Sequence, residues 1–286
     1  MVGTDTDEGI MVRSVADLFI LKEKAEKEEG SEIKISMSYI EVYNETILDL
    51  MVDKSESIPL EIYDVSGGKN QIINGVTEIY VKSSNQVFDL LTKGNKNRSE
   101  ESTEKNDFSS RSHAILTINV ETILKNQNGR RVAGKFILVD LAGSEKANYG
   151  KNQNQRILEG SNINKSLLSL SNCINAMVDK KVFVPWRDSK LTRILQSSIG
   201  GNSRLVLIAN ISPSVMAYEE TLYTLKWADR AKNIKREVTQ NYLPDVKHVE
   251  KYEEILSKLK EDIEETKTKL KNSGTGFFNS QSKEKI

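Results

Sequence analysis

An acidic residue directly follows a short apolar segment in the middle of the chain. Residues 136–139 read Phe-Ile-Leu-Val, and Asp140 and Gly143 come immediately afterwards. Four consecutive apolar residues are typical of a strand that is buried on both faces. In open α/β sheets ligands bind at the carboxyl ends of strands, where a carboxylate can hold Mg²⁺ and a glycine N–H can approach a phosphate. A core strand that meets an ordinary turn explains the same pattern, so this motif alone leaves both interpretations open.

A second polar segment, residues 95–112, contains the groups that would complete such a site. Ser109, Ser110 and Arg111 place two hydroxyls beside a guanidinium. Hydroxyls can ligate Mg²⁺ or donate to phosphate oxygens, and an arginine can pair with a carboxylate. A serine-rich structural loop is the alternative. Residues 114–124 and 130–139 are predicted to form a hairpin, and antiparallel pairing would bring Ser110 and Asp140 to the same edge of the sheet.

The elements that must position these residues are predicted from hydrophobic periodicity. The predicted helices cover residues 9–19, 83–94, 161 or 162 to 177, a short segment after Pro185, and 218–234. The predicted strands cover 33–51 and 205–211, with a small β lobe formed by 60–63 and 76–81 around Gly67-Gly68. Residues 146–160 are expected to form a polar loop, and the charged segment 22–29 is expected to be solvated. Heptad-spaced apolar residues over 249–270 predict either a short coiled coil or one amphipathic helix packed on the domain.

The composition excludes several classes of protein. Lys and Arg number 41 and Asp and Glu also number 41, so any electrostatic contact surface must be a local patch. The single cysteine, Cys173, excludes an internal disulfide, and its apolar surroundings predict a buried thiol in a reducing compartment. One cysteine and two histidines argue against a His/Cys metal site. No apolar run reaches the length of a membrane span and the amino end is acidic, so we expect a cytosolic protein.

Three motifs, in this order and spacing, resemble a known family. The motifs are Asn106-Asp-Phe-Ser-Ser-Arg-Ser-His113, Asp140-Leu-Ala-Gly-Ser-Glu145, and Asn162-Ile-Asn-Lys-Ser-Leu167 followed by Val184-Pro-Trp-Arg-Asp-Ser-Lys-Leu-Thr-Arg193. They are similar to switch I, switch II, the relay helix and the microtubule-contact segment of the kinesin motor domain. The segments 232–235 and 248–252 resemble the neck region of the eighth kinesin subfamily.

The resemblance implies a three-layer α/β fold over residues 1–236, with a central mixed β-sheet flanked by helices. It also implies a neck linker with a neck helix or short coiled coil over 237–271, a homodimer contact over 249–270, and a disordered tail over 272–286. The family's phosphate-cradling loop, G-x-x-x-x-G-K-[S/T], has no counterpart in this sequence, so the family's first strands and this P-loop are expected to be missing. We therefore expect this chain alone to fold poorly and to bind Mg·ATP weakly.

Family roles carried over residue by residue imply an ATPase site with Mg²⁺. Ser110 would ligate Mg²⁺, Asp140 would hold the metal through water, and Ser109 would help position the attacking water. Arg111 would pair with Glu145 to close the site, and the Gly143 N–H would sense the γ-phosphate. The supporting residues would be Arg98, Asn106 and Asn164.

The resemblance also implies a basic surface that contacts the acidic surface of tubulin. The candidate contacts are Lys146, Lys151, Lys180, Lys181, Arg187, Lys190 and Arg193. Such contacts would be weakened by salt.

The leading hypothesis is an ATP-driven microtubule motor or depolymerase of the cytoplasm and its microtubule cytoskeleton, with no nucleic acid or membrane as partner. Because the P-loop motif is missing, ATP hydrolysis by this chain is left open, and a nucleotide-independent microtubule-binding module is the alternative. A GTPase-like switch is disfavoured, because the polar loop and basic helix after Glu145 fit a track-binding segment better.

Overall fold

The structure is a computed structural model that describes residues 1, 3, 7–65, 70–99, 111–125, 130–144, 153–234 and 238–243, and the single residues 259, 263 and 266. The helices are α1 (Ile10–Glu28), α2 (Ser84–Ser99), α3 (Gln153–Val178), α4 (Lys190–Ile199) and α5 (Tyr218–Ala231). The strands are β1 (Glu32–Tyr43), β2 (Thr46–Asp49), β3 (Glu61–Val65), β4 (Asn70–Asn74), β5 (Ile79–Val81), β6 (His113–Leu124) and β7 (Arg130–Asp140).

A five-stranded sheet built around β1 forms the centre of the fold. Its strand order is β2-β1-β6-β7, and β5 also pairs with β1. Every pairing in the described part of this sheet is antiparallel, whereas a mixed sheet was expected. The predicted hairpin of β6 and β7 is confirmed, although the connecting residues 126–129 lie outside the described part of the chain.

Alternating residues of β1 pack on opposite faces of the sheet. Ile35 and Met37 lie in one core cluster with apolar residues of α1 and α2. Ile40 and Val42 lie in a second cluster with residues of α3, α4 and α5. Because side chains of a strand alternate between faces, one strand supplies both cores. The three-layer α/β arrangement is thereby confirmed.

Three helices are longer than the sequence pattern predicts. The charged segment after Phe19 continues α1 to Glu28, with ion pairs at i,i+4 spacing between Lys22 and Glu26 and between Glu23 and Lys27. The helix α3 begins at Gln153, inside the predicted polar loop. The helix α2 continues past Gly94 to Ser99. When one apolar stripe of a helix is buried, the helix can therefore continue through polar turns at its ends.

Gly94 was predicted to end α2, but it lies inside this helix, where its lack of a side chain allows close packing. A Cβ at this position would lie 2.5 Å from Cδ1 of Tyr39, which is too close for any real carbon contact. The absence of a side chain lets α2 approach the Tyr39 ring, and the Tyr39 hydroxyl donates to Asn95 Oδ1 at 2.8 Å. Gly94 thus fixes the spacing between α2 and β1.

Two strand predictions are wrong. The small β lobe is a hairpin of β3 and β4, and residues 76–81 do not pair with 60–63, because β5 pairs with β1 in the main sheet. Residues 205–211 are not assigned as a strand, and the side chains of Val206 and Ile208 are 82% and 52% exposed. A strand needs a neighbour that satisfies its backbone groups, and no described strand pairs with this segment.

Two further expectations concern Cys173 and the chain after α5. Cys173 is fully buried, as predicted, and burial raises its pKa to about 12. The predicted coiled coil over 249–270 lies outside the described residues except for Leu259, Ile263 and Thr266, which are helical. None of the helices in the described ranges has the length and apolarity that crossing a membrane requires.

Candidate functional site

The register of the central hairpin brings the two chemistry-bearing segments together. Ala114 at the start of β6 pairs with Asp140 at the end of β7. The start of β6 and the end of β7 therefore lie at one edge of the sheet, and the predicted position of Ser110 at this edge stays a prediction. Ser109 and Ser110 are outside the described residues, and Arg111 is described as part of a short turn that enters β6.

Arg98, in the last turn of α2, connects both segments to the sheet. It is 7% exposed. Its Nη2 donates to the carbonyl of Ser112 at 2.8 Å and its Nε to Ser112 Oγ at 3.1 Å. Its Nε also lies 3.4 Å from Oε1 of Glu41, and its Nη1 lies 3.4 Å from Oδ2 of Asp140. A rigid guanidinium with several donors can satisfy partners on separate elements at once.

His113 makes a second connection at the same edge. It is 2% exposed, its Nδ1 accepts the backbone N–H of Ala142 at 3.0 Å, and its Nε2 lies 2.8 Å from Ser166 Oγ on α3. Burial, and then the positive charge of Arg98, lower the pKa of His113 to about 4. The imidazole is therefore neutral at physiological pH.

Asp140 has the chemistry expected of an indirect Mg²⁺ ligand. Its side chain is 42% exposed at the strand end, and its Oδ2 faces Arg98. A carboxylate oxygen that is open to water suits a metal that keeps several water ligands. Gly143 follows in a half-buried, non-helical segment. The part of the predicted site that the structure describes therefore fits the metal.

The remaining predicted switch residues are only partly described. Residues outside the described ranges are Ser109, Ser110, Asn106, Glu145, Lys146 and Lys151. Asn164 lies within α3, with its side chain outside the description. The predicted pairing of Arg111 with Glu145 therefore stays a prediction.

The predicted microtubule-binding cations that lie within the described residues divide into two groups. Lys180 and Lys181 are exposed at the end of α3, beside exposed Val182 and Phe183, and make no ion pair within the described ranges. The other cations are held by the β3–β4 hairpin. Arg187 and Arg193 lie 2.8 and 3.4 Å from the carboxylate of Asp64, and Lys190 lies 2.9 Å from Glu61.

A segment after α5 lies along the outer edge of β7. The Ala133 N–H donates to the Asn241 carbonyl at 3.0 Å, and the Leu243 N–H donates to the Arg131 carbonyl at 2.9 Å. Asn202 holds this segment: its Nδ2 donates to Thr239 O at 2.7 Å and to Asn241 Oδ1 at 2.8 Å, and its Oδ1 accepts the Thr239 N–H at 2.8 Å.

Sequence reasoning missed three residues of this arrangement. Glu41 occurs at an alternating position of β1, where a buried acid is uncommon and so points to a buried partner. His113 is the last residue of the motif 106–113. A histidine in such a polar motif is in itself a sign of possible chemistry. Asn202 follows a Gly-Gly pair and carries no local signal, because its partners lie far along the chain.

Comparison with known proteins finds relatives that match nearly the whole of this chain. Human kinesin-like protein KIF19 is 44% identical over 275 residues, which is 94% of this chain and 27% of the relative. Kinesin-like protein KIN-8B of Arabidopsis thaliana is 43% identical over 274 residues, 94% of this chain and 33% of the relative. The chain therefore spans about a quarter to a third of the length of these relatives.

Solved structures give the same result at the level of the fold. The AMP-PNP state of a KIF14 dimer in complex with a microtubule superimposes with a TM-score of 0.78 at 35% identity, covering 88% of this chain and 72% of that one. The structure of a fast kinesin gives a TM-score of 0.75 at 37% identity, with 86% and 68% covered. Residues 1–234 match the kinesin motor domain, and the chain belongs to the kinesin motor domain family.

Proposed function

We propose that this chain is the phosphate-sensing and track-binding part of an ATP-driven microtubule motor or depolymerase of the eighth kinesin subfamily. The observation that carries the proposal is the edge where β6 begins and β7 ends. There Arg98 and His113 connect the segments around Ser112 and Ala142 to helices on both faces of the sheet. Similarity to KIF19 and KIN-8B supports the subfamily.

At this edge each described residue has a defined task. Asp140 would hold Mg²⁺ through water, and the Gly143 N–H would donate to the γ-phosphate. When bound, Mg·ATP would supply the charge that these residues hold, and their contacts with it would order the two switch segments. Arg98 keeps the Asp140 carboxylate in place and connects it to Ser112. Ser109, Ser110, Arg111 and Glu145 retain their proposed roles in metal binding, water positioning and closure, with Asn106 and Asn164 in support.

The track surface is proposed to be centred on Lys180 and Lys181. These two lysines are exposed and make no ion pair within the described residues, whereas Asp64 and Glu61 neutralise much of the field of Arg187, Lys190 and Arg193. The acidic surface of tubulin would compete with the hairpin for these three cations. Lys146 and Lys151 would add to the same surface.

The segment 238–243 is proposed to be the neck linker, docked on β7 and held by Asn202. A neck helix through residue 271 would follow, with a homodimer contact over 249–270 and a disordered tail from 272. The proposed location is the cytoplasm, on microtubules.

Co-sedimentation with microtubules tests the proposal. The chain is incubated with microtubules in ADP, ATP or a non-hydrolysable ATP analogue, and affinity is measured at two salt concentrations. We expect binding that depends on nucleotide and weakens with salt. Affinity that is the same with every nucleotide would favour the nucleotide-independent binding module, and no binding would refute the proposal. Calorimetry with Mg·ATP tests nucleotide binding separately, because the sequence has no P-loop motif.

Charge variants locate the track surface. Lys180→Glu combined with Lys181→Glu is expected to lower microtubule affinity ~10-fold or more, because two exposed charges are reversed. The matched control reverses Lys24 and Lys27, which lie on α1 at the opposite face of the sheet, and should leave affinity within ~2-fold. Equal losses in the two variants would show that binding depends on net charge alone.

A further inference from the structure

The imidazole of His113 joins two segments on which the proposed function depends. One partner is the backbone N–H of Ala142, the residue directly before Gly143, at 3.0 Å. The other is the hydroxyl of Ser166 in α3, at 2.8 Å from Nε2. The ring therefore lies between the segment proposed to sense phosphate and the helix that leads to Lys180 and Lys181.

The polarity of both hydrogen bonds follows from simple chemistry. A backbone amide can only donate, so Nδ1 of His113 must be the unprotonated nitrogen. A neutral imidazole then carries its proton on Nε2 and donates it to Ser166 Oγ. Burial, which lowers the pKa of this histidine, supports the neutral form. A flipped ring would place C–H groups against both partners, so the orientation is fixed from both sides.

The burial of all three groups makes the connection stiff. His113, Ala142 and Ser166 are 2%, 5% and 3% exposed, so water is not at hand to replace a lost partner. Breaking either bond leaves a buried polar group unsatisfied, which costs more than breaking the same bond in water. Moving Ala142, the ring and Ser166 together avoids that penalty.

We infer that His113 is a positioning residue that couples the backbone at Ala142 to α3, so that a displacement of one is transmitted to the other through two hydrogen bonds. The inference rests on the proposed function for what displaces Ala142, namely a phosphate at Gly143. The mechanical coupling itself is a property of the chain and can be measured without nucleotide or microtubules.

Hydrogen exchange at the Ala142 amide tests the coupling. The full chain is labelled with ¹⁵N and exchange is followed by NMR. Ser166→Ala removes the acceptor of the imidazole proton and is expected to lower protection at Ala142 by ~5-fold or more, although the mutated residue is on another element. The matched control is Ser169→Ala, whose hydroxyl donates to Lys165 O in its own helix at 2.7 Å. It should change Ala142 protection by less than ~2-fold.

A double-mutant cycle shows whether the effect passes through the ring. His113→Asn retains an acceptor near the position of Nδ1 but is too short to reach Ser166. In this background Ser166→Ala is expected to produce no further loss of protection at Ala142. Protection of Ile115 and Leu116 in β6 reports general loosening and should be unchanged in all variants. If His113→Asn does not fold, the comparison of Ser166→Ala with Ser169→Ala still shows whether α3 and the Ala142 amide are coupled.

The inference is overturned if Ser166→Ala leaves Ala142 protection unchanged, or if Ser169→Ala lowers it equally. A second measurement addresses the functional consequence. The ratio of microtubule affinities with the ATP analogue and with ADP should fall toward one in Ser166→Ala and be retained in Ser169→Ala. A wild-type chain that does not bind microtubules would refute the proposed function, and the exchange result would still decide whether the coupling exists.

Discussion

Replacing Arg98 with methionine is expected to destabilise the fold strongly because it leaves a buried charge without its partner. Glu41 is 2% exposed and its carboxylate lies 3.4 Å from Arg98 Nε. Asp140, the other acid in contact, is 42% exposed on its side chain, so water can solvate it when Arg98 is lost. The expected cost therefore comes mainly from Glu41, with a smaller part from the buried carbonyl and hydroxyl of Ser112, which lose the donors of Arg98.

The magnitude follows from this difference in burial. Removing one partner of a buried ion pair costs about 3–5 kcal/mol, because the remaining charge is uncompensated. Methionine retains much of the apolar volume of the arginine stem, so cavity formation adds little. Adding Glu41→Gln to Arg98→Met removes the stranded charge and is expected to recover at least about half of the loss.

Urea unfolding followed by circular dichroism at neutral pH measures these free energies. Arg131→Met is the matched control, because Arg131 pairs with Glu121 at a site where both side chains are 30% exposed, and it should cost less than about 1 kcal/mol. The reasoning is refuted if Arg98→Met costs no more than Arg131→Met. It is equally refuted if Glu41→Gln adds to the loss in the Arg98→Met background.

Three further outcomes are expected from the same structure. Gly94→Ala should destabilise by ~1–3 kcal/mol in urea unfolding, since its Cβ would meet the Tyr39 ring, whereas Thr92→Ala on the exposed face of α2 should change stability by less than ~0.5 kcal/mol. Asn202→Ala should lower the exchange protection of the Leu243 amide ~10-fold, because the clamp on the segment 238–243 is lost; unchanged protection would show that pairing with β7 suffices. The folded pKa of His113, about 4, lies below its ordinary value of 6.5, so its contribution to stability is complete above pH 6.5 and is lost as the pH falls toward 4. Urea unfolding should show a loss of ~2 kcal/mol from this group at pH 5, and His113→Asn should remove that loss; an unaltered pH dependence would contradict the assignment.

Local patterns in the sequence were sufficient for the elements that carry regular apolar periodicity. Apolar residues of α3 and α5 recur at helical spacing, and β6 and β7 contain apolar runs on either side of a sequence rich in Asn and Gly, so their types were predicted correctly. The meeting of the start of β6 with the end of β7 also followed, because antiparallel pairing fixes which ends are adjacent. Residues on these elements were therefore placed correctly before their contacts were known.

Contacts between distant segments were not predictable in this way. The pairing of Asp64 with Arg187 and Arg193, and of Asn202 with Thr239, joins residues far apart in sequence with no periodic signal. Gly94 illustrates the same limit, because its local context predicts the end of a helix while its tertiary contact keeps it inside one. Residues 205–211 show the converse, since apolar composition predicts a strand but pairing needs a partner.

The end of β7 is connected to both helical layers within three residues. Asp140 contacts Arg98 of α2 on one face of the sheet, and the Ala142 N–H bonds to His113, which leads to α3 on the other face. The bonds of His113 to Ala142 and Ser166 are buried, so a shift of Ala142 toward a phosphate, as proposed, could not be absorbed there by a change of solvation. It must either break one connection or move α2 or α3. The Asp140 side chain is 42% exposed, so water can replace its contact with Arg98, and we predict that a displacement of this segment is transmitted mainly toward α3 and the lysines at its end.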